Sequence, residues 1–229
     1  MPTRPKQRTG LWFWPLACLG FVTLTASASA EEEERGRARW SEDFVVLTYD
    51  SSMDALGPGA FESLKKAVAA WQGANPNIPR ILVRRGVAAM GYEMEGANTN
   101  SVTYAKEGDP AAKGALAVTV VTFGGKPKRI VDADIVINGE HRFTTAAPTE
   151  VEAYDLQNVL AHEIGHLLGL GEDPHNELAT MYPYSSPRET LKHDLDETDR
   201  EALALHYPPK GHGVTAAIRE RLARAVKPR

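Results

Sequence analysis

The sequence predicts an α/β (α+β) domain with a five-stranded mixed sheet and a long helix, with one further helix before that helix and one after it. Three observations predict this class. Five short runs are rich in β-branched and aromatic residues, which favour strands. Two longer runs carry apolar residues at helical spacing, and a third run begins at a capping residue and ends before two prolines. Their order, a strand, a helix, four strands and two helices, suits one α/β domain.

Gly and Pro residues separate the predicted strands from one another. The first helix is predicted from Phe61, Leu64, Val68 and Trp71, which recur at helical spacing. Gly73, Pro76 and Pro79 are expected to stop it. The five strands are predicted at residues 43–49, 81–83, 101–104, 116–123 and 134–137. With 229 residues, of which 42% are hydrophobic, the chain is long enough to bury one sizeable core.

The second helix is predicted from Asp155 to Leu168. We expect Gly169 to end it, because glycine readily adopts the left-handed conformation that turns a chain back at a helix C-terminus. The last helix is predicted from Asp196 to Tyr207, with Asp196 as its cap.

A metal-binding pattern lies on the second helix, in the run His162-Glu163-Ile164-Gly165-His166. Residues four apart in a helix share one face, so His162 and His166 point at one place. Two neutral imidazoles can hold Zn²⁺ there, and Glu163 can reach a water bound to it. The pattern therefore predicts a zinc site with His162 and His166 as ligands and Glu163 as the catalytic base.

The run continues to Gly169 and is followed by Met181-Tyr182-Pro183. An H-E-x-x-H-x-x-G run with a methionine downstream resembles the metzincin zinc metalloproteases, and the Met-Tyr-Pro wording is most similar to the matrixins, in their bacterial-type secreted form. The resemblance implies a zincin-like fold and a secreted zinc-dependent endopeptidase that hydrolyses peptide bonds with a zinc-activated water and a glutamate general base. It also implies that residues 116–123 form an exposed edge strand to which an extended peptide can add.

The third zinc ligand departs from the family pattern, which places a histidine, or sometimes an aspartate, three residues after the glycine. Glu172 occupies that position here, and a carboxylate oxygen is a legitimate zinc ligand. Asp173 and His175 are the alternatives. His175 would need a longer excursion of the loop and would shorten the path to Met181, so the sequence favours Glu172.

The residues after the metal-binding run have implied roles in the same site. Met181 would pack beneath the metal without coordinating it. Tyr182 and Tyr184 could line the wall of a substrate pocket. A Ca²⁺ ion is compatible with the sequence, but no binding pattern for it is legible. Asp132, Asp134 and His141 are more often polar groups of strands and turns.

Two other functions fit part of the pattern. In a gluzincin-type zinc peptidase the third ligand is a glutamate on a following helix, and Glu189 and Glu197 lie at usable distances, but Gly169 and Met181 would then have no role. An exported zinc-binding module without catalysis would have no use for Glu163 as a base.

The first thirty residues have the layout of a secretory signal peptide, with a basic start, an apolar run and the small-x-small site Ala28-Ser29-Ala30. The sequence therefore predicts a signal peptide (1–30), a charged linker (31–42), a matrixin-like catalytic domain (43–209) and a basic C-terminal tail (210–229). Cys18 is the only cysteine and lies in the leader, so no disulfide is expected after cleavage. We expect a secreted or periplasmic protein.

The charge balance limits the possible partners. The chain has 26 Lys and Arg against 30 Asp and Glu, and removal of the basic leader makes it more acidic. This balance argues against nucleic-acid binding. We expect a polypeptide substrate, no stable membrane insertion after leader cleavage, and a monomer.

Overall fold

The computed structural model describes residues 38–87, 100–145 and 152–209. Its main sheet has five strands in the order β2-β1-β3-β5-β4. The first four of these are parallel to their neighbours, and β4 is antiparallel to β5. The strands are β1 (Phe44–Asp50), β2 (Arg80–Gly86), β3 (Ser101–Ala105), β4 (Ala117–Gly124) and β5 (Arg129–Asn138). A second, two-stranded sheet pairs β6 (Phe143–Thr144) with β7 (Tyr154–Asp155).

Three α-helices are described, α1 (Ala60–Ala74), α2 (Leu156–Leu167) and α3 (Glu197–His206), with short 3₁₀ helices at Ser51–Leu56, Pro110–Ala112 and Leu191–His193. Helix α1 packs against α2, and the buried Trp71 donates a hydrogen bond from Nε1 to the carbonyl of Ala161, 2.7 Å away. This contact fixes the height of α2 relative to α1. Asp196 caps α3, as the sequence predicts, in a capping box with Asp199.

The core lies between the sheet and helices α1 and α2. Strand β4 shows how the alternation of a strand produces this layer: Ala117 and Val121 enter the main core, while Val118 joins a small cluster on the other face, where Ala111 and Ala112 lie. Because α2 packs against β4 and β5, the candidate site is held between a helix and the end of the sheet.

The predicted fold class is confirmed: a five-stranded mixed sheet, the helix that carries the run from His162 to His166, and one helix before and one after it. The predicted strands are all present. The main difference is in length, because β5 begins at Arg129 and not at Asp134. Its early residues pair with the end of β4 across a register shift at Thr122 and Phe123, a long-range pairing that local composition does not reveal.

The segment before β1 packs onto the domain. Ala38 and Trp40 are buried, and Trp40 Nε1 donates to the carbonyl of Leu167 at 2.8 Å. The predicted signal peptide (1–30), the first part of the charged linker and the basic tail (210–229) lie outside the described residues, so the domain boundaries stay predictions. None of the helices in the described ranges is both long and apolar enough to cross a membrane.

Candidate active site

Helix α2 presents the candidate residues, and its two ends are fixed by specific contacts. At its start, the Asp155 side chain accepts a hydrogen bond from the Asn158 amide at 2.8 Å. At its end, Gly169 has a φ of 91°, and its amide donates to the carbonyl of His166. This left-handed turn reverses the chain as predicted, so that residue 172 returns to the face that carries the histidines.

The two histidines converge with their Nε2 atoms 3.1 Å apart. The Nδ1 atom of His162 lies 2.8 Å from the carbonyl oxygen of Thr180, and that of His166 lies 2.9 Å from the carbonyl oxygen of Leu170. A carbonyl oxygen can only accept, so both Nδ1 atoms donate, and in the neutral rings both Nε2 lone pairs face the same place. This is the arrangement by which backbone groups orient metal-binding histidines.

Glu172 completes the cluster. Its Oε1 atom lies 3.5 Å from His162 Nε2 and 3.3 Å from His166 Nε2. Its Oε2 atom is buried and has no hydrogen-bond partner among the residues that the structure describes. Within the described ranges, these three side chains form the one group of three or more potential ligands whose donor atoms lie within 4.8 Å of one another.

These residues fit a zinc ion. Two imidazole lone pairs that face each other at short distance, beside a buried carboxylate oxygen without a donor, leave three groups that a cation can satisfy together. Two histidines and one carboxylate are also a known ligand set of catalytic zinc, with the fourth position open. His162, His166 and Glu172 would therefore be the residues that hold the metal.

The electrostatics of the cluster favour a positive charge at its centre. Burial opposes ionisation of Glu172, but the hydrogen bonds and charges of the two histidines hold the pKa of this carboxyl well below its usual range. Burial also opposes protonation of His166, yet the hydrogen bond that its protonated Nε2 would donate to Glu172 and the charges of Glu163 and Glu172 raise the pKa of this imidazole. In the absence of a metal, a proton is attracted to the same place.

The other candidate ligands point elsewhere. Asp173 Oδ1 accepts a hydrogen bond from the backbone of His175, and His175 is exposed. Glu189 accepts hydrogen bonds from the Asn158 side chain and the Ser186 backbone. Glu197 is at the start of α3 and, like the others, lies outside the cluster formed in the described part of the chain.

Glu163 is buried at 5% exposure and contacts strand β4. Its Oε2 atom accepts a hydrogen bond from Thr119 Oγ1 at 2.5 Å. Thr119 is a polar residue in the row of β4 that faces α2, where its neighbours Ala117 and Val121 are apolar. The predicted base is therefore in contact with the sheet as well as with its own helix.

Met181 packs against α2, and hydrogen bonds to Asp199 of helix α3 hold the backbone around it. The Asp199 carboxylate accepts hydrogen bonds from the amides of Thr180 and Met181, at 2.7 and 3.1 Å. Because the Thr180 carbonyl in turn accepts from His162, this buried aspartate helps to orient a candidate metal ligand.

The chain that follows Met181 is held by a buried lysine. Lys192 is 2% exposed, and its Nζ atom donates to the carbonyls of Tyr182 and Tyr184, at 2.6 and 3.0 Å. Burial lowers the pKa of this ammonium, and nearby carboxylates, Glu189 first, oppose that effect. The rings of Tyr182 and Tyr184 meet edge to face with centroids 5.6 Å apart; their role in a pocket wall stays a prediction.

A groove of about 550 Å³ lies between α1 and the start of α2, lined by residues that include Lys66, Asp155, Arg188 and His193. None of the cluster residues lines it, so we do not assign the candidate chemistry to this groove.

Known proteins resemble this part of the chain. Residues 104–208 match the family model described as Matrixin, and they include the histidine cluster, Glu163 and Met181.

This region is matrixin-like.

Two curated relatives each match a short segment of this chain. Metalloendoproteinase 1-MMP of Arabidopsis thaliana is 49% identical over 57 residues, which are 25% of this chain and 15% of the relative. Metalloendoproteinase 1 of Glycine max is 46% identical over 55 residues, which are 24% of this chain and 17% of the relative. The chain thus aligns with a small part of each relative. The family implies zinc, in agreement with the ligand chemistry of the cluster.

Three residues of the matrixin-like region contact the candidate site or its supporting chain and were not predicted from the sequence. Thr119 has a weak signal, a polar residue in the inward row of an otherwise apolar strand. Asp199 and Lys192 have none, since each acts on backbone atoms that only the fold brings near.

Proposed function

We propose that this protein is a zinc-dependent endopeptidase in which His162, His166 and Glu172 hold the metal and Glu163 is the general base. One observation carries the proposal: within a matrixin-like region, two oriented imidazoles and a buried carboxylate without a hydrogen donor on one oxygen converge on one place. Glu172 is preferred to Asp173 and His175 because its oxygen is the one within 4 Å of both imidazoles.

The roles of the chain's own residues follow from this arrangement. When bound, zinc would supply a Lewis acid that favours hydroxide near neutral pH and polarises the scissile carbonyl. Glu163 accepts the proton of the attacking water and passes it to the leaving amine. The Thr180 and Leu170 carbonyls keep the two imidazoles in the tautomer that binds metal.

The edge position of strand β4 is consistent with a polypeptide substrate. It pairs with β5 on one side, and no strand in the described ranges pairs with its other side. An extended peptide could add to that edge through main-chain hydrogen bonds, independently of its side chains. Export by the leader at residues 1–30, location outside the cytoplasm and a monomeric state belong to the same proposal and rest on the sequence alone.

The test is cleavage of casein or gelatin by the protein from Glu31 onward. We expect cleavage that a chelator abolishes, that added zinc restores, and that Glu163→Ala loses while zinc stays bound. Cleavage retained in Glu163→Ala would refute the mechanism. Tightly bound zinc with no cleavage of any protein substrate would favour a non-catalytic zinc-binding module.

A further inference from the structure

Thr119 touches Glu163 through a hydroxyl that has two acceptors in reach. Its Oγ1 lies 2.5 Å from Glu163 Oε2 and 3.1 Å from the Glu163 backbone oxygen. A hydroxyl donates one proton, and O–H···O⁻ bonds of 2.5 to 2.7 Å are the strong, charge-assisted kind. The short distance therefore indicates that the Thr119 hydroxyl donates its hydrogen bond to Glu163 Oε2 and not to the backbone oxygen.

The strand around Thr119 gives this contact a fixed position. Thr119 is 3% exposed and lies opposite Ile135 in the antiparallel pair of β4 and β5. A threonine in a strand also has restricted χ1 freedom. The hydroxyl is thus held by the sheet, whereas a glutamate side chain on a helix has several rotamers to choose from.

We propose that Thr119 is a positioning residue, whose hydroxyl holds Oε2 of Glu163 so that Oε1 is presented to the attacking water. Oε1 accepts no hydrogen bond from the described parts of the chain. The inference rests on the proposed function and deepens it. Strand β4 would then bind the main chain of the substrate and also hold Glu163 in place. One rigid element would thus position the substrate and the base relative to each other.

A purely structural role for Thr119 predicts something different. A hydroxyl that only fills a polar position in the core would affect stability, and its loss would change turnover only as far as the fold or the zinc site is damaged. Turnover at saturating substrate, zinc content and the position of the Glu163 carboxylate separate the two roles.

The experiment compares Thr119→Val, Thr119→Ser and Thr103→Val in the full chain, loaded with zinc. Valine keeps the shape of threonine without its hydroxyl, and serine keeps the hydroxyl. Thr103 is the matched control, since it is also a strand threonine, on β3, and its hydroxyl bonds a backbone oxygen, that of Ile135, at 3.3 Å. We measure kcat, KM, zinc per chain and the thermal midpoint.

For Thr119→Val we expect kcat to fall about tenfold or more, with KM within about twofold and zinc content unchanged. Thr119→Ser should recover most of kcat, and Thr103→Val should keep it. Unchanged or increased kcat in Thr119→Val would overturn the proposal. So would a loss of kcat that zinc loss or unfolding accounts for in full.

Crystal structures of the zinc-loaded protein and of Thr119→Val give a readout that does not depend on activity. We expect the Glu163 carboxylate against Thr119 in the first and displaced in the second. An inactive wild type with this contact intact would count against the endopeptidase alone. A wild type whose Glu163 points away from Thr119 would overturn the positioning role, whatever its activity.

Discussion

Gly165 lies so close to Met181 that no side chain fits between them. A Cβ atom at residue 165 would overlap the Sδ atom of Met181 and would lie 2.9 Å from Cζ2 of Trp71. The glycine between Glu163 and His166 therefore lets the methionine pack directly against the helix that carries the site. This contact links the metal-binding run to the methionine downstream of it, which the sequence shows only as two separate patterns.

Gly165→Ala should destabilise the protein by about 1–3 kcal/mol, because overpacking forces backbone or side chains to shift. Met181 belongs to the segment whose Thr180 carbonyl orients His162, so zinc affinity should fall as well. Urea unfolding and zinc titration measure the two effects.

Gly73→Ala is the control for that substitution and should have the opposite sign. Gly73 is in helix α1, and a Cβ there would meet no atom of the described residues within 4 Å. Alanine should stabilise this helix by about 0.5–1 kcal/mol. A Gly165→Ala variant as stable as the wild type would mean that Met181 can move away without cost.

Glu172→Ala should lose most of its zinc, because the proposed third ligand is removed and two histidines alone would hold the metal weakly. Zinc per chain after dialysis against a weak chelator is the measurement. Asp173→Ala and His175→Ala are matched controls in the same loop, and both should retain zinc. If His175→Ala lost the metal and Glu172→Ala kept it, the ligand assignment would be wrong.

Lys192→Met should lower the free energy of unfolding by about 1–3 kcal/mol, since the carbonyls of Tyr182 and Tyr184 lose their donor. Lys65→Met is the control: its side chain is 45% exposed beside Glu62, and exposed pairs contribute about 0–1 kcal/mol. A Lys192→Met variant that is more stable than the wild type would show that the cost of burying the ammonium exceeds the gain from its two hydrogen bonds.

His206 should make the protein less stable in mild acid. Burial lowers the pKa of this imidazole from 6.5, and the positive charge of Arg39 lowers it further, against the opposing hydrogen bond to the Ala38 carbonyl. As pH falls below about 6.5, His206 becomes protonated in the unfolded chain but stays neutral in the folded protein. The free energy of unfolding therefore decreases. The decrease from this group stops below its folded pKa.

His206→Gln should therefore flatten the fall in stability as the pH drops below about 6.5. Urea unfolding of both proteins with excess chelator removes any contribution from zinc. An equal slope for the variant and the wild type would contradict the assignment. His175→Gln, at an exposed position, controls for the loss of a histidine as such.

The sequence by itself predicted the five strands of the main sheet, the three α-helices and the chemical type of the candidate site. Helical spacing of His162 and His166 places them on one face in any helix, and the glycine at 169 turns the chain in the same local way wherever the helix ends. The strands and helices follow from apolar periodicity, which depends on near neighbours. A local pattern does not show which loop residue reaches the histidines, so the sequence indicated Glu172 only by its position three residues after Gly169.

Only the tertiary structure decided which groups surround that site. Thr119 lies 44 residues before Glu163 along the chain, and its contact exists because β4 is the edge strand beside α2. The hydrogen bonds of Asp199 with the Met181 amide and of Lys192 with the Tyr182 carbonyl likewise join residues that are separated along the chain. Such contacts depend on the order of strands and the height at which helices pack, and these are set by the whole core, not by any local run of residues.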